Sequence, residues 1–479
     1  MSNLIAAFAA SGNALDVFQQ ALTTTSNNIN NASTPGYAKQ TLNLSAMPFD
    51  VTGGLVGGVS AQGLTDSRDQ YAEESVQQQT STLGLYTAQS QATATLQSLF
   101  DVSGASGVSA SLQNLFQAFS AWSVTPNDST ARQSVLNAAG SAAQSISGLD
   151  ASLVQAGAGL DTQISSTVNQ INTLAKQIQQ YNISLQQQPQ PDPGEQAQLY
   201  SSLQSLSQLV NFSTVQQSDG SVTVMLAGGQ PLVVGTTVNA LNAQVAVNQN
   251  PPPAFPTSPP TDQILDSQGN DVTSEITSGQ LGGLLDVRNN LLASVIGDGQ
   301  QQGTLNQLAQ GLADTVNNIL ESGTVSSAPG AANGTALFTY AAGNPTGIAA
   351  SLAVNPAITA AQLAPVDSSG NSNGNAQQLA ALSDATSGLG TIGGQSYIEY
   401  YGNIAAAVGQ ENADASANET TQQQVVSQAA SLRDQVSGVS LNQEAVAVMQ
   451  FQQAYQATAQ VLTVLSNLTT TLVNLIQPY

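Results

Sequence analysis

The 479-residue sequence contains no cysteine and no histidine. Without cysteine the chain cannot form disulfides or cysteine-based zinc sites, and without either residue it cannot use a thiol or an imidazole in catalysis. Charged residues make up only 7% of the chain, far below the roughly 25% of an ordinary soluble domain. The surface is therefore predicted to be polar but mostly uncharged, which leaves little charge repulsion between copies.

Basic residues are especially scarce. Six Lys and Arg stand against 29 Asp and Glu, which gives a net charge of −23. No two basic residues are close in sequence; they are Lys39, Arg68, Arg132, Lys176, Arg288 and Arg433. Because this chain cannot neutralise a run of phosphates, we predict no binding to nucleic acid or to anionic membranes. No pattern predicts a cofactor or a metal site.

Long apolar runs are also missing. No stretch reaches about 18 consecutive apolar residues, so no membrane-spanning helix is predicted. Residues 1–38 contain no Lys or Arg, and their apolar positions are periodic, which is unlike a secretory signal. If the protein leaves the cell, we expect a route that needs no cleaved signal.

One further hypothesis is that the protein faces an acidic medium, where carboxylates protonate and the net charge shrinks.

Matching heptads at the two ends are the strongest positive feature. One stripe follows alternating steps of four and three: Leu4, Phe8, Ser11, Leu15, Phe18, Leu22, Thr25 and Ile29. The other is Val448, Gln452, Tyr455, Ala459, Leu462, Leu465, Thr469, Leu472 and Ile476. Such spacing is typical of coiled coils, although any helix in a bundle shows an apolar face. The nearly uncharged polar faces favour burial within an assembly.

Between these stripes the sequence is mainly helical. Apolar spacing predicts helices over residues 160–185, 195–210 and 397–436, and a helical pattern over 66–157 and 282–320. The helical pattern ends at Asn211. After it, turns at Asp219-Gly220 and Gly228-Gly229 predict a small antiparallel β-unit, and a turn at Gly269-Asn270 predicts a second hairpin. Residues 251–260 are proline-rich and are predicted to form an extended loop.

The predicted fold class is mainly α with a small β-hairpin region, built of discontinuous, nested helical-bundle domains. If the terminal helices pair, residues 1–45 and 439–479 are the two halves of one coiled-coil assembly domain. Residues 46–438 then form an inserted, rod-like helical domain with the β-unit at about 211–280.

Candidate sites for chemistry are weak. Glu73-Glu74 are neighbours that would point to different sides of a helix, so a solvated face is the better interpretation. Residues 266–271 and 367–375 have the polar, glycine-containing composition of calcium loops, but neither has the EF-hand spacing. Ordinary turns are predicted at both places, and the protein is predicted not to be an enzyme.

The residues that follow the first stripe resemble a known signature. Asn27-Asn28-Ile29 and Thr34-Pro35-Gly36-Tyr37 are similar to the signature of bacterial flagellar axial proteins. The continuation to Lys39-Gln40, together with Phe451-Gln452-Gln453-Ala454-Tyr455 near the other end, resembles the hook-associated protein 1 family. The sequence departs from that family at Gln443-Glu444, where two acids are usual, and we expect it to lack the outer β domain of longer members.

This resemblance implies a structural subunit at the hook–filament junction, outside the cell. The implied partners are other copies of the chain in a ring, hook protein, the second junction protein and an export chaperone. Another axial protein (hook, rod or flagellin-like) and a secreted adhesin remain the alternatives. The predicted assembly interface consists of Leu4, Phe8, Leu15, Phe18, Leu22, Ile29, Tyr455, Leu462, Leu465, Leu472 and Ile476.

Overall fold

A computed structural model describes residues 2–48, 57–102, 104–187, 192–245, 261–384 and 390–476. Its helices are α1 (Ser2–Asn30), α2 (Gln70–Gln97), α3 (Gly107–Val124), α4 (Ser129–Gln187), α5 (Pro193–Leu209), α6 (Gly279–Asp286), α7 (Leu292–Ile296), α8 (Thr304–Glu321), α9 (Ile348–Ser351), α10 (Gly374–Ala381), α11 (Tyr397–Ser437) and α12 (Leu441–Ile476). A π-helical segment, Val287–Leu291, joins α6 to α7 and is called the π segment below.

The strands are short and antiparallel. They are β1 (Gln40–Ala46), β2 (Val59–Asp66), β3 (Phe212–Gln216), β4 (Val222–Leu226), β5 (Pro231–Val234), β6 (Thr237–Val238), β7 (Asn242–Val245), β8 (Asp262–Leu265), β9 (Phe338–Thr339) and β10 (Ala353–Val354). One sheet has the order β3-β4-β5-β6, and the pairs β1-β2, β7-β8 and β9-β10 stand alone. The expectation of a mainly α chain with small hairpins is confirmed.

The chain folds back on itself in a nested way. Helix α1 packs along α12, and α2 packs along α11, so the first elements pair with the last. Elements α2 to α11, residues 70–437, are called the helical body, and α1 with α12 is called the terminal pair. The core of the helical body contains Trp122, Phe119, Tyr397 and Tyr401, each shielded from solvent almost completely.

Helix α4 is much longer than the sequence predicts. The pattern predicts a start at residue 160, but the helix begins at Ser129 and runs unbroken for 59 residues. The predicted break near Gly157 is wrong because the apolar face continues through Ile146 and Leu153, both buried. Gly157 is needed for packing: a Cβ there would approach the Leu292 side chain to 3.0 Å. Tertiary burial therefore outweighs the cost of glycine within this helix.

The first predicted β-unit is confirmed. Gly220 has φ +84° in the turn between β3 and β4, and the Gln217 amide donates to the Ser221 carbonyl. Val222 and Val224 of β4 face the core, as the alternation predicts. The predicted turn at 228–229 joins β4 to β5.

The second predicted hairpin is confirmed only next to its turn. The Asp266 amide donates to the Asn270 carbonyl and the Val272 amide to the Ile264 carbonyl, with one antiparallel bridge between Leu265 and Asp271, but the longer partner of β8 is β7. The Ile264 amide donates to the Thr273 hydroxyl, so a side chain replaces the backbone partner of a ladder. The residues of β7 do not predict a strand, because Asn and Ala are depleted in strands. The predicted loop at 251–260 lies outside the described residues.

Buried or half-buried asparagines bind strands and loops to helices in this charge-poor chain. Each side-chain amide donates to the carbonyl and accepts from the N–H of one extended residue, which imitates a strand neighbour. The pairs are Asn28 with Gln40, Asn172 with Leu241, Asn182 with Val222, Asn289 with Asp262, and Asn317 with Phe338. Neutral hydrogen bonds thus provide specificity that charges provide in other proteins.

Asn182→Ala is expected to lower the free energy of unfolding of the helical body by about 3 kcal/mol. The Asn182 amide makes hydrogen bonds to the N–H and carbonyl of Val222 at 2.9 Å and to the Gly235 carbonyl at 2.8 Å. Its removal leaves these buried backbone groups without hydrogen-bond partners. Urea unfolding measures the loss. The matched control is Asn169→Ala on the exposed face of the same helix. An equal loss of stability in both variants would contradict the role of the Asn182 hydrogen bonds.

Candidate assembly interface

Asn28 is the centre of the joint between the terminal pair and the helical body. The joint comprises residues 28–40, 66–73 and 437–444. Asn28 is only 1% exposed. Its Nδ2 donates to the Gln40 carbonyl at 2.8 Å and to Glu444 Oε2 at 2.9 Å, while its Oδ1 accepts from the Gln40 N–H and the Tyr37 hydroxyl at 2.9 Å. One neutral amide therefore connects the end of α1, the start of β1 and the first turn of α12.

Glu444 is the buried charge of this joint, with 3% of its surface exposed. Lys39 Nζ lies 3.0 Å from Glu444 Oε1 and balances that charge. The carboxylate also sits in the first turn of α12, where the helix dipole favours a negative charge. Burial, and then the Glu444 charge, raise the pKa of the nearby Tyr37 hydroxyl, which therefore stays a hydrogen-bond donor.

Because Asn28 and Glu444 are in contact, the end of α1 lies beside the start of α12. The two helices pack along each other, so they run antiparallel. The chain leaves α1 through a turn in which the Tyr37 amide donates to the Thr34 carbonyl.

Gly36 allows this turn to sit directly on α5. Its φ of +74° is in the left-handed region, and a Cβ there would lie 2.2 Å from the Ala197 carbonyl oxygen. Arg68 holds the same turn by donating from Nη2 to the Gly36 carbonyl at 2.7 Å. Only glycine meets both demands.

Arg68 connects the Gly36 turn to α2 and α5. Its guanidinium stacks over the Tyr200 ring of α5 at 3.5 Å and pairs with Glu73 of α2 through Nη1 at 2.6 Å. Arg433 of α11 lies 3.8 Å from the other Glu73 oxygen. Burial raises the pKa of Tyr200, an effect that the Arg68 charge opposes. The predicted solvated face at 73–74 is therefore wrong for Glu73, which is buried between two arginines.

On α1 the predicted stripe is not the most buried face. Leu4, Leu15, Phe18, Leu22 and Ile29 are half-buried, and Phe8 is 41% exposed. The buried positions are Val17, Ala21, Thr25 and Asn28, of which only Thr25 belongs to the predicted stripe. They share the same three-and-four spacing, but their small or polar side chains give a weaker hydrophobic signal. The large residues thus flank the packed face and keep part of their apolar surface uncovered.

On α12 the predicted stripe is half-buried at Tyr455, Leu462 and Leu465 and exposed at Leu472. The structure does not describe the side chain of Ile476. Among the motif residues, Phe451 is half-buried and Gln452 and Gln453 are exposed, as are Asn27, Thr34 and Pro35 at the other end.

A second apolar stripe on α12 is exposed, and the sequence analysis missed it. It has two parts with three- or four-residue spacing, Val446 with Met449 and Val461 with Val464 and Leu468, and Val464 is 57% exposed. Helix α12 therefore presents two apolar faces, of which α1 covers one within the chain. The spacing was visible in the sequence, but a helix with one stripe already assigned gave no reason to seek another.

The two glycine-containing acidic loops are turns, as predicted. The Asp266 carboxylate accepts from the amides of Gln268 and Asn270, and the Asp367 carboxylate does the same with Ser369 and Asn371. The side-chain amides of Asn270 and Asn371 also donate to these carboxylates, and these bonds, followed by the backbone ones, lower the pKa of both carboxyls. In the part of the chain that the structure describes, no cluster of acids could hold a metal ion and no helix is long and apolar enough to cross a membrane.

Comparison with known proteins places this architecture in a family. The profile described as "Flagellar hook-associated protein FlgK helical domain" matches residues 93–338, more than half of the chain. The chain belongs to the FlgK family of flagellar hook-associated proteins. A second profile, "Flagella basal body rod protein", matches residues 8–37, which include α1 and the turn at Gly36.

Individual FlgK family members are distant in sequence. The chain is 29% identical over 283 residues to "Flagellar hook-associated protein 1" of Salmonella typhimurium, covering 56% of this chain and 49% of that protein. The protein of the same name from Bacillus subtilis is 26% identical over 183 residues, 36% of each chain. The matched region thus spans about half or less of these curated relatives.

A solved structure shares the fold. The flagellar hook junction protein FlgK from Burkholderia pseudomallei superposes with a TM-score of 0.63 at 16% identity, covering 76% of this chain and 100% of that one.

Proposed function

We propose that this protein is a structural subunit of the bacterial flagellum, without catalytic activity, that joins the hook to the filament. The observation that carries the proposal is the uncovered apolar surface of the terminal pair. It fits the family of the helical body and the names of its relatives, which are hook-associated or hook junction proteins.

A second copy of the chain is the proposed occupant of that surface. The exposed stripe of α12 is accompanied by Ile5 and Phe8 on α1, and the polar faces beside them carry few charges. Each large apolar side chain buried on assembly contributes roughly 1.5–3 kcal/mol. Several of them, repeated around a ring, would hold subunits together through surfaces that one chain cannot cover by itself.

The further partners follow from the same role. We propose that hook protein binds below the ring and the second junction protein above it, and that an export chaperone accompanies the chain before assembly. The subunit would then act outside the cell, in the flagellum, after export without a cleaved signal.

Val464→Asp is expected to reduce incorporation at hook ends by at least roughly 30-fold, because assembly would bury a carboxylate in an apolar contact. The monomer should keep its stability, since Val464 is mostly exposed within the chain. Thr463→Asp adds the same charge at an exposed polar position beside it and should assemble normally. Binding of labelled protein to isolated hooks measures the effect, and normal incorporation of Val464→Asp would contradict the proposed surface.

Another axial role is the second candidate, because the rod-protein match covers residues 8–37. A junction subunit should add a limited layer to hook ends and should not grow long polymers alone. Electron microscopy of the purified chain, with and without hooks, distinguishes the two: long homopolymers would favour a filament-forming axial protein.

A further inference from the structure

The π segment brings an arginine and an asparagine to the base of the β7-β8 pair. Arg288 Nε lies 2.6 Å from Asp161 Oδ1 on α4, and Gly157, one turn earlier on α4, leaves room for the guanidinium. Asn289 clamps the backbone of Asp262 in β8 through two hydrogen bonds of 2.8 Å. π-Helical turns often redirect side chains in this way. Asp262 is thereby fixed against α4 and the π segment.

The Asp262 carboxyl group is unusual because it is buried without a donor. It is 3% exposed, and no donor among the described residues reaches either oxygen. An isolated buried carboxylate is costly. A protonated carboxyl in this place would instead donate its own hydrogen bond.

Two acidic groups and one basic group lie together at Asp262, so that one added proton would make their net charge zero. Asp161 approaches from α4 and Arg288 from the π segment, while β7 contributes no titratable side chain. Glu275, in the turn after β8, lies against Gly228 instead, and Asp286 before the π segment bonds Gln89 and Asn290. The Arg288 guanidinium therefore pairs with Asp161 and acts on Asp262 only through its charge.

We propose that Asp161 and Asp262 share one proton, and that this proton holds β7-β8 on α4 and the π segment, so that a mildly acidic medium strengthens the helical body. The proton comes from solvent and resides on Asp262, whose hydroxyl donates to the Asp161 carboxylate. Asp161 keeps its ion pair with Arg288. The net charge of the three groups then changes from −1 to zero.

The expected titration agrees with this geometry. Burial, followed by the Asp161 charge, raises the pKa of Asp262 from 3.8 to about 7, against the opposing effect of Arg288. Because the folded state holds its proton to a higher pH than the unfolded state, this contribution is fully present below pH 4 and is lost as the pH rises towards 7. Burial also raises the pKa of Asp150, which lies three turns before Asp161 on α4, to about 6. This shift, too, makes the folded chain more stable at lower pH.

The test compares the full chain with Asp262→Asn, which imitates the neutral carboxyl. The unfolding constant of the wild type, divided by that of the variant, should increase roughly tenfold between pH 5.5 and 7.5. The Asp150 contribution is common to both proteins and cancels in this ratio. Glu411→Gln, which removes a charge from an exposed position on α11, should leave the ratio constant.

Proton counting gives an independent readout on the wild type. Calorimetric unfolding at pH 6, in buffers of different ionisation enthalpy, should show close to one more proton released by the wild type than by Asp262→Asn. If that variant does not fold, Asp161→Asn serves instead, because it removes the acceptor of the shared proton and should reduce the extra release. Equal proton release and equal pH dependence in wild type and variants would overturn the proposal.

Discussion

Replacing Leu15 and Leu465 together by Asp is expected to abolish incorporation at hook ends, with a decrease of roughly 100-fold or more. Both side chains are half-buried in the terminal pair, so two carboxylates would enter contacts that are now apolar. The helical body should stay folded because neither residue belongs to its core. Binding to isolated hooks measures incorporation, and thermal unfolding of the purified variant measures the integrity of the body.

The matched control adds the same two charges on exposed polar faces of the same helices, as Asn13→Asp with Gln456→Glu. This control should assemble like the wild type. Assembly of the Leu15→Asp and Leu465→Asp double variant onto hooks would refute the proposed interface. A body that unfolds in that variant would show that the terminal pair stabilises the whole chain instead.

Gly36→Ala is expected to open the joint and to destabilise it by about 3 kcal/mol. The new Cβ would require a positive φ and would lie 2.2 Å from the Ala197 carbonyl oxygen, where only backbone could move away. The turn would then leave α5, and the hydrogen bond from Arg68 would be lost. Tryptic cleavage after Lys39, the first basic residue of the chain, should become many times faster because its ion pair with Glu444 depends on this turn.

Gly12→Ala provides the control for the glycine change itself. Gly12 lies within α1, and nothing stands within 4 Å of a Cβ at that position. This substitution should stabilise α1 by about 0.5–1 kcal/mol and slow cleavage at Lys39 slightly. Unchanged cleavage of Gly36→Ala would show that the joint does not depend on this close contact.

Much of the helical architecture could be predicted from local pattern. The bounds of α12 follow from its apolar spacing and from Gly438 before it, and α11 and α5 lie within a few residues of the prediction. Helix α4 was underestimated because Gly148, Gly157 and Gly159 resemble breaks. At Gly157, close packing against α7 and the π segment favours continuation of the helix. The partner of β8 was missed because pairing with β7 is a long-range contact.

The assembly interface itself stays a prediction, whereas the pairing of the terminal helices could be expected from their heptad spacing. The Thr34-Pro35-Gly36-Tyr37 motif indicated a family resemblance and gave no sign of the joint. The role of Asn28 and Glu444 was not visible, because a hydrogen bond across 416 residues leaves no local signal. The buried small residues of α1 were hidden for another reason: Val17 and Ala21 contribute less hydrophobicity than the leucines that flank them.

By itself, the sequence determined the helical class, the stripes at both ends, and the exclusion of thiol and imidazole chemistry, since these depend on composition and local spacing. Only the tertiary structure decided which face of each stripe is covered, why Gly36 must be glycine, and that Asp262 shares its site with Asp161 and Arg288. Such features depend on contacts between residues far apart in the chain. Burial strengthens this dependence, because a buried polar group cannot bind water in place of a protein neighbour.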